Sequence, residues 1–330
     1  MVEQENKCRG IVRSVKREQL MEKEKKGKPD YELCVVGAIG VDTNCYLYNE
    51  SIDYINEANF TENIDGVGQA GGYCARLSKA LGNRTFFFGF IGDDWQGKMI
   101  RQTFDEEGVE HQFFLDNRGT KRSVNIVSKD GSRKNFYDGK GAMHIQVDSD
   151  DFFDIFHNSQ VIHINIVNWT RQLLPLAKSS QGIISCDLQD MPSMDDPYRK
   201  DYLEQAPVIF FSGVNFQDPL SVLMDLMIKY PEKQFFCTMG QAGCAFNNGS
   251  KIVKQNAIEI DRKIIDTNGA GDSFAMGTLT SLLRGFTLQE SCFRGQLCAR
   301  YTCTLRADTK GFLTSRDWEY YWEIKRKELV

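Results

Sequence analysis

The chain is predicted to be an α/β protein whose central, mostly parallel sheet is covered by helices on both faces, giving three layers, α/β/α. Three observations lead to that class. Beyond residue 150, short apolar runs alternate with helical segments, the order expected of a parallel sheet under crossover helices. Earlier, Lys129-Asp130-Gly131-Ser132 separates two β-rich runs, a hairpin signal that adds a small β region to the layers. And 330 residues, 41% of them hydrophobic, suit one large unit with a smaller appended part rather than a string of domains.

Residues 1 to 30 are rich in Lys, Glu, Arg and Gln and form a charged extension. The run 17–26 reads equally as a solvated helix or a disordered segment. Its plain role is solubility; its sharper one is a partner-binding or oligomer-forming arm. The domain proper spans 31–330 and opens with Leu33-Cys34-Val35-Val36-Gly37, a short apolar run ending in glycine that reads as a buried strand. Helical patterning follows from Gly71 to Leu81, then a strand over Thr85–Gly92. A helix from Gln96 to Glu107 ends near Gly108. Ser123–Val127 and Arg133–Tyr137 flank the hairpin turn. Val161–Ile166, Ile183–Asp187, Val208–Ser212 and Gln234–Thr238 are the later strands.

Net charge is −5, so no basic character points to nucleic acid or an anionic membrane. No run approaches a transmembrane length, and the polar N-terminus has no signal-peptide pattern. Ten cysteines lie scattered through apolar segments without a Cys-x-x-Cys pair, which fits a reduced, cytoplasmic protein. With four histidines and no matched ligand set, a zinc site is not expected. His163 reads as a core or rim residue.

The most informative stretch is Asp266-Thr267-Asn268-Gly269-Ala270-Gly271-Asp272-Ser273-Phe274. Ile264 and Ile265 precede it, and an apolar run from Phe274 to Leu283 follows. A small-residue turn that opens a helix makes an anion cradle, because the first N–H groups are unpaired and carry the positive end of the helix dipole. Asp272 in that first turn is either a helix cap or a base beside the bound anion.

This string resembles the C-terminal signature of the ribokinase-like, or PfkB, family of sugar and nucleoside kinases, and the resemblance covers most of residues 33 to 315. It implies a ribokinase-like fold with a small β lid, formed by segments around 42–65 and 120–140. Gly37-Ala38-Ile39-Gly40-Val41-Asp42 resembles the family's opening strand, whose terminal aspartate binds substrate hydroxyls; the alternative for Asp42 is a turn residue. The run from Gly66 to Ala75 is similar to the family's glycine-rich first signature, with Gly68, Gly71 and Gly72 in place. Gln69 replaces the second glycine, and Tyr73 falls where a substrate-binding asparagine is expected. Tyr73 either turns away to pack while another residue serves, or stacks on a different substrate.

Phe90–Gly97 resembles a Gly-x-Asp-x-x-Gly segment, with Asp93 read as a cap for the next helix. Arg122 and Arg133 are basic candidates near substrate or phosphate, or charges that protect an exposed sheet edge. Asn215-Phe216-Gln217-Asp218 resembles an Asn-x-x-Glu motif that influences magnesium and phosphate. Asp218 would act there through water, or else it caps the helix that Pro219 opens. Thr238-Met239-Gly240-Gln241-Ala242-Gly243 resembles the segment near the nucleotide. The helix at 293–304, with Gln296, and the rim at Ala307–Gly311, including Asp308, would line the adenine pocket.

The resemblance implies ATP and Mg2+ as cofactors and admits a monovalent cation such as K+ near Asp266, a residue read chiefly as orienting the turn. Asp272 would take the proton of the acceptor hydroxyl. Backbone N–H groups of Asn268, Gly269, Ala270 and Gly271 would stabilise the γ-phosphate. Asp42 would hold the acceptor, a small sugar or a nucleoside. Relatives often dimerise through the lid, and the 123–137 hairpin is compatible with a homodimer. The leading expectation is an ATP-dependent sugar kinase. The alternatives are a nucleoside kinase, a kinase of a phosphorylated sugar, and a non-catalytic nucleotide- or sugar-binding regulator.

Overall fold

A computed structural model describes residues 29–130, 132–306 and 311–329. The charged extension up to residue 28 and Asp308 therefore lie outside the described residues. The chain forms two sheets. The larger has nine strands in the order β13-β12-β11-β10-β9-β8-β1-β4-β5. They are β1 (Tyr31–Val36), β4 (Thr85–Ile91), β5 (Glu110–Leu115), β8 (Ser159–Asn165), β9 (Ile183–Asp187), β10 (Val208–Ser212), β11 (Gln234–Thr238), β12 (Cys244–Asn248) and β13 (Lys251–Gln255). All neighbouring pairs from β5 through to β11 are parallel; β12 and β13 return antiparallel at the edge.

Apolar side chains alternate between the two faces of this sheet. Leu33 and Val35 enter one core, while Cys34 and Val36 enter the other. The first core lies under α1 (Gln69–Ala80), α2 (Trp95–Glu107), α7 (Ala270–Leu283), α8 (Leu288–Thr302) and α9 (Ser315–Lys325). The second lies under α3 (Phe153–His157), α4 (Leu174–Ser179), α5 (Lys200–Gln205) and α6 (Pro219–Lys229). This is the expected three-layer arrangement. Strand order reverses beside β1: the chain moves one way to β4 and β5, and the other way from β8 onward. In such sheets ligands bind at the carboxyl ends of strands next to that reversal.

The smaller sheet has the order β3-β2-β6-β7, made of β2 (Gly40–Leu47), β3 (Thr61–Gly68), β6 (Lys121–Val127) and β7 (Arg133–Asp138). It occupies the segments expected of a lid. One reading needs correction here. Gly37–Asp42 is not the end of the first strand: β1 stops at Val36, and Asp42 sits on β2, where it pairs with Gly66 and Ser123. Asp42 thus belongs to the smaller sheet.

Two helix ends show how local sequence sets these elements. Helix α2 is capped by Asp94, which accepts from the Gly97 N–H at 2.8 Å, so the cap is Asp94 and not Asp93. It ends at Gly108, whose φ of 65° lies in the left-handed region that favours glycine. Asp94 also accepts from the Thr120 N–H and hydroxyl at 2.7 and 2.6 Å, tying α2 to the entry of β6. Helix α8 opens with a capping box between Thr287 and Glu290.

Candidate active site

The site is built around the N-terminus of α7. Gly269 is the N-cap, at φ 73°, and no side chain caps the helix. Asp272 is the third helical residue, so it is not the cap, and its carboxylate is left for other work. A Cβ on Gly269 would come within 2.9 Å of the Tyr73 ring, which packs beneath the turn. A Cβ on Gly271 would meet nothing within 4 Å, so the helix end is open on that side. Two of the four N–H groups expected to face phosphate are engaged within the turn. Asn268 N donates to Asp266 Oδ1 at 2.9 Å, and Ala270 N donates to the Thr267 carbonyl at 3.3 Å. Asp266 is buried and also accepts from the Tyr46 hydroxyl at 3.0 Å, so it holds the turn in shape.

Burial pushes the Asp272 carboxyl up to about 8, and the nearby negative charge of Asp187 adds to the rise. The Arg133 guanidinium, reaching in from the lid, opposes it. Asp187 ends β9 and is buried, which pushes its carboxyl up to about 6. Beneath Asp272 runs a buried polar chain. The Cys74 thiol donates to Asp272 Oδ1 at 3.8 Å, and Asn165 Nδ2 approaches Cys74 Sγ at 3.8 Å and His163 Nε2 at 3.4 Å. His163 is buried in the core, bonded to Ser185, as its position in an apolar strand implied.

Asp42, Tyr73 and Asn268, far apart in sequence, converge. Asp42 is buried, and its Oδ1 accepts from Gln69 Nε2 at 2.7 Å. Its Oδ2 accepts from the Tyr73 hydroxyl at 3.4 Å and from Asn268 Nδ2 at 3.3 Å. Asn268 Nδ2 also donates to the Tyr73 oxygen at 3.0 Å. Burial holds the Asp42 carboxyl above the usual carboxylate range, against the opposing pull of the Gln69 and Asn268 bonds. Gly68 and Gly71 are needed for close approach: a Cβ on Gly68 would lie 2.0 Å from Asp42 Oδ2, and one on Gly71 2.6 Å from the Ala38 carbonyl. Gly72 is buried against Ile39 with ordinary clearance.

The residues expected on the nucleotide side follow the ends of β10 and β11. Thr238 ends β11, and Gly240 and Gly243 follow at φ 55° and 88°. A Cβ on Gly243 would lie 2.1 Å from the Gln255 carbonyl, whereas nothing lies within 4 Å of one on Gly240. Asn215 Nδ2 donates to the Asp190 carbonyl at 3.0 Å, bracing one strand-end loop against another. Asp218 caps α6: its Oδ1 accepts from the N–H groups of Leu220 and Ser221 at 3.1 and 3.2 Å. Gln296 lies on the buried face of α8 near Gln255.

Sequence reasoning missed three contributors. Asp187 was legible as a strand-terminal carboxylate at the ligand-binding edge. Gln69 was visible only as a departure from glycine. Cys74 left no signal, because its contact with Asp272 spans the fold.

An open, uncapped helix end whose first turn carries a carboxyl pushed well above its ordinary range is suited to bind an anion and to accept a proton. The comparisons make this specific. The profile described as "pfkB family carbohydrate kinase" matches residues 32–314, and the chain belongs to that family. It is therefore a carbohydrate kinase. Among curated proteins it is similar to acarbose 7(IV)-phosphotransferase of Actinoplanes sp., 24% identical over 85% of this chain and 94% of that one. It is also similar to ribokinase of Arabidopsis thaliana, 24% identical over 82% of this chain and 75% of that one. Among solved structures, a microbiome-derived acarbose kinase aligns with a TM-score of 0.80 and 25% identity, covering 89% of this chain and 99% of that one. The Arabidopsis thaliana ribokinase bound to ribose and ATP aligns with a TM-score of 0.71 at 19% identity, covering 89% and 98%, a likeness of fold.

Proposed function

We propose that this kinase moves the γ-phosphoryl group of ATP to a hydroxyl of a sugar held on Asp42, with Asp272 as the general base. One observation carries the reading: a carboxylate with an affinity for protons far above the ordinary range stands at an open helix N-terminus, and Asn268 of the same turn donates to the buried carboxylate of Asp42. Phosphoryl transfer asks a protein chiefly to position reactants and neutralise charge. The open turn at Gly269–Gly271 meets the γ-phosphate, Asp42 orients the acceptor, and Asp272 accepts the proton from its hydroxyl. Arg133 of the lid faces both carboxylates and is suited to balance the charge that gathers between them.

Magnesium fits the residues present. Asp187 is a buried carboxylate facing the like charge of Asp272, and a divalent cation would relieve that opposition. Asp187 would hold the ion, and Asp218, whose Oδ1 is committed to capping α6, would act through water from Oδ2. The ion supplies charge neutralisation at the phosphates. For a monovalent cation the fit is poor: the cavity beside Asp266, Asn268 and Thr302 is also lined by Arg76 and Arg306, whose positive charges oppose a cation there.

Asn215, Thr238, Gly240 and Gly243 would line the nucleotide side. The relatives named for acarbose and ribose support a sugar as acceptor over a nucleoside. The lid sheet, with its exposed edge strand β7, is suited to a homodimer contact. No helix among the described residues is long and apolar enough to cross a membrane. ADP release across sugars and nucleosides tests the function. Turnover with a sugar supports it; turnover with nucleosides alone, or none with retained ATP binding, would move the assignment to the nucleoside kinase or the regulator.

A further inference from the structure

This inference rests on the acceptor-site reading above and deepens it. Gln69 stands where a side chain is strained. It is the first residue of α1, at φ 66°, in the left-handed region that favours glycine. Its side chain is held by two bonds that span the site: Nε2 donates to Asp42 Oδ1 at 2.7 Å and to Ser123 Oγ at 2.8 Å. One amide thus joins α1, the lid strand β6 and the acceptor carboxylate.

That carboxylate is already crowded. A carboxylate offers about four acceptor positions. The Gln69 amide, the Tyr73 hydroxyl and Asn268 Nδ2 all donate to Asp42. A substrate hydroxyl that reaches Asp42 must displace or share one of these donors. Tyr73 is wedged, with its ring against Gly269 and edge-on to Phe312. Asn268 is fixed in the anion turn by its N–H bond to Asp266. The Gln69 carboxamide, at the end of a flexible chain, is the donor that can share its place, staying on Asp42 while it admits one substrate hydroxyl.

We propose that Gln69 is the acceptor-selecting residue of this kinase. Its carboxamide occupies the place on Asp42 that a second, vicinal hydroxyl would take. The site therefore accepts a polyhydroxylated substrate through one hydroxyl on Asp42 and a second polar group on the carboxamide itself. A plain glycine at this position leaves one oxygen of the carboxylate open to a vicinal pair.

The test compares the wild type with Gln69→Gly, which accepts φ 66° without strain, and Gln69→Asn, which keeps an amide one methylene too short. ADP release is measured with D-ribose, D-fructose and acarbose, and thermal unfolding shows that each variant folds. The expected result is a shift of about tenfold or more in the ratios of kcat/KM among the acceptors, carried mainly by KM and toward the monosaccharides in Gln69→Gly, with Gln69→Asn moving the same way. Ratios in Gln69→Gly within about twofold of wild type, on a folded protein, overturn the proposal. Wild-type turnover with unchanged ratios sinks this inference alone. No sugar-dependent ADP release from the wild type sinks the kinase reading and this inference with it.

Discussion

Asp272 owes its chemistry to place rather than type. Half-buried at the third position of α7 and opposed by Asp187, it has its carboxyl pushed up to about 8. As the proposed base it would work only when unprotonated, so kcat/KM for the sugar should climb with pH through neutrality and level off above about 8. Asp272→Asn should lose about 10²- to 10⁴-fold in kcat while ATP still raises the unfolding temperature. The same residue predicts a stability effect of defined sign. A carboxyl whose folded value lies above its unfolded value costs stability as pH rises from about 4 to 8. Asp272→Asn should therefore unfold at a higher temperature than wild type at pH 8, by about 2 °C or more, and the gap should shrink toward pH 4.5. Asp272 was legible in the sequence because its partners in the turn are its neighbours. Gln69 and Asp187 were not assigned because their partners, Asp42 and Asp272, lie on other elements. Tyr73 shows the intermediate case: its departure from asparagine was visible, but not that its ring would lie under Gly269 and its hydroxyl on Asp42.

At the scale of elements, the parallel strands were the most readable. Ile183–Asp187, Val208–Ser212 and Gln234–Thr238 begin and end where their apolar runs do, because both faces of each are buried. The lid strands were harder. The rows Asp42–Ser123 and Asn44–Asn125 place polar residues on buried positions, so the usual alternation of apolar and polar is broken. That is why Gly37–Asp42 read as one strand when it bridges two sheets. The edge strands β12 and β13 were also unread, being short, half polar and antiparallel. Asp94 offers a test of how lid and body are joined. Asp94→Ala removes the cap of α2 and the bonds to Thr120 together, and should lower stability by about 1–2 kcal/mol in urea unfolding. Asp93→Ala, one residue earlier and without the cap, should stay within about 0.5 kcal/mol.

At the scale of the whole molecule, the site gathers residues from the lid, from α1, from the strand ends beside the reversal and from α7, so no single segment carries it. The proposed substrate contact and catalysis would therefore depend on the fold's full assembly. The buried polar chain beneath the base makes that assembly sensitive to acid. Burial depresses His163 to about 3, well below its unfolded value. The folded state then binds fewer protons than the unfolded state once pH falls below about 6.5, and stability should be lost from there down toward pH 3. His163→Gln should flatten that slope in thermal unfolding measured between pH 7 and 4. The order of layers and the parallel core were legible because they follow from periodicity. The union of lid and strand-end groups into one acceptor site was not, because it depends on how two sheets meet.

The central claim is that a sugar hydroxyl is phosphorylated with Asp272 as base, and the most direct measurement is transfer of label from γ-labelled ATP to sugar by wild type and Asp272→Asn. The account predicts labelled sugar phosphate from the wild type, with a rate rising toward pH 8, and at least a hundredfold less from a folded, ATP-binding Asp272→Asn. Transfer by that variant at a rate near wild type, or labelled nucleoside products with no labelled sugar, would contradict it.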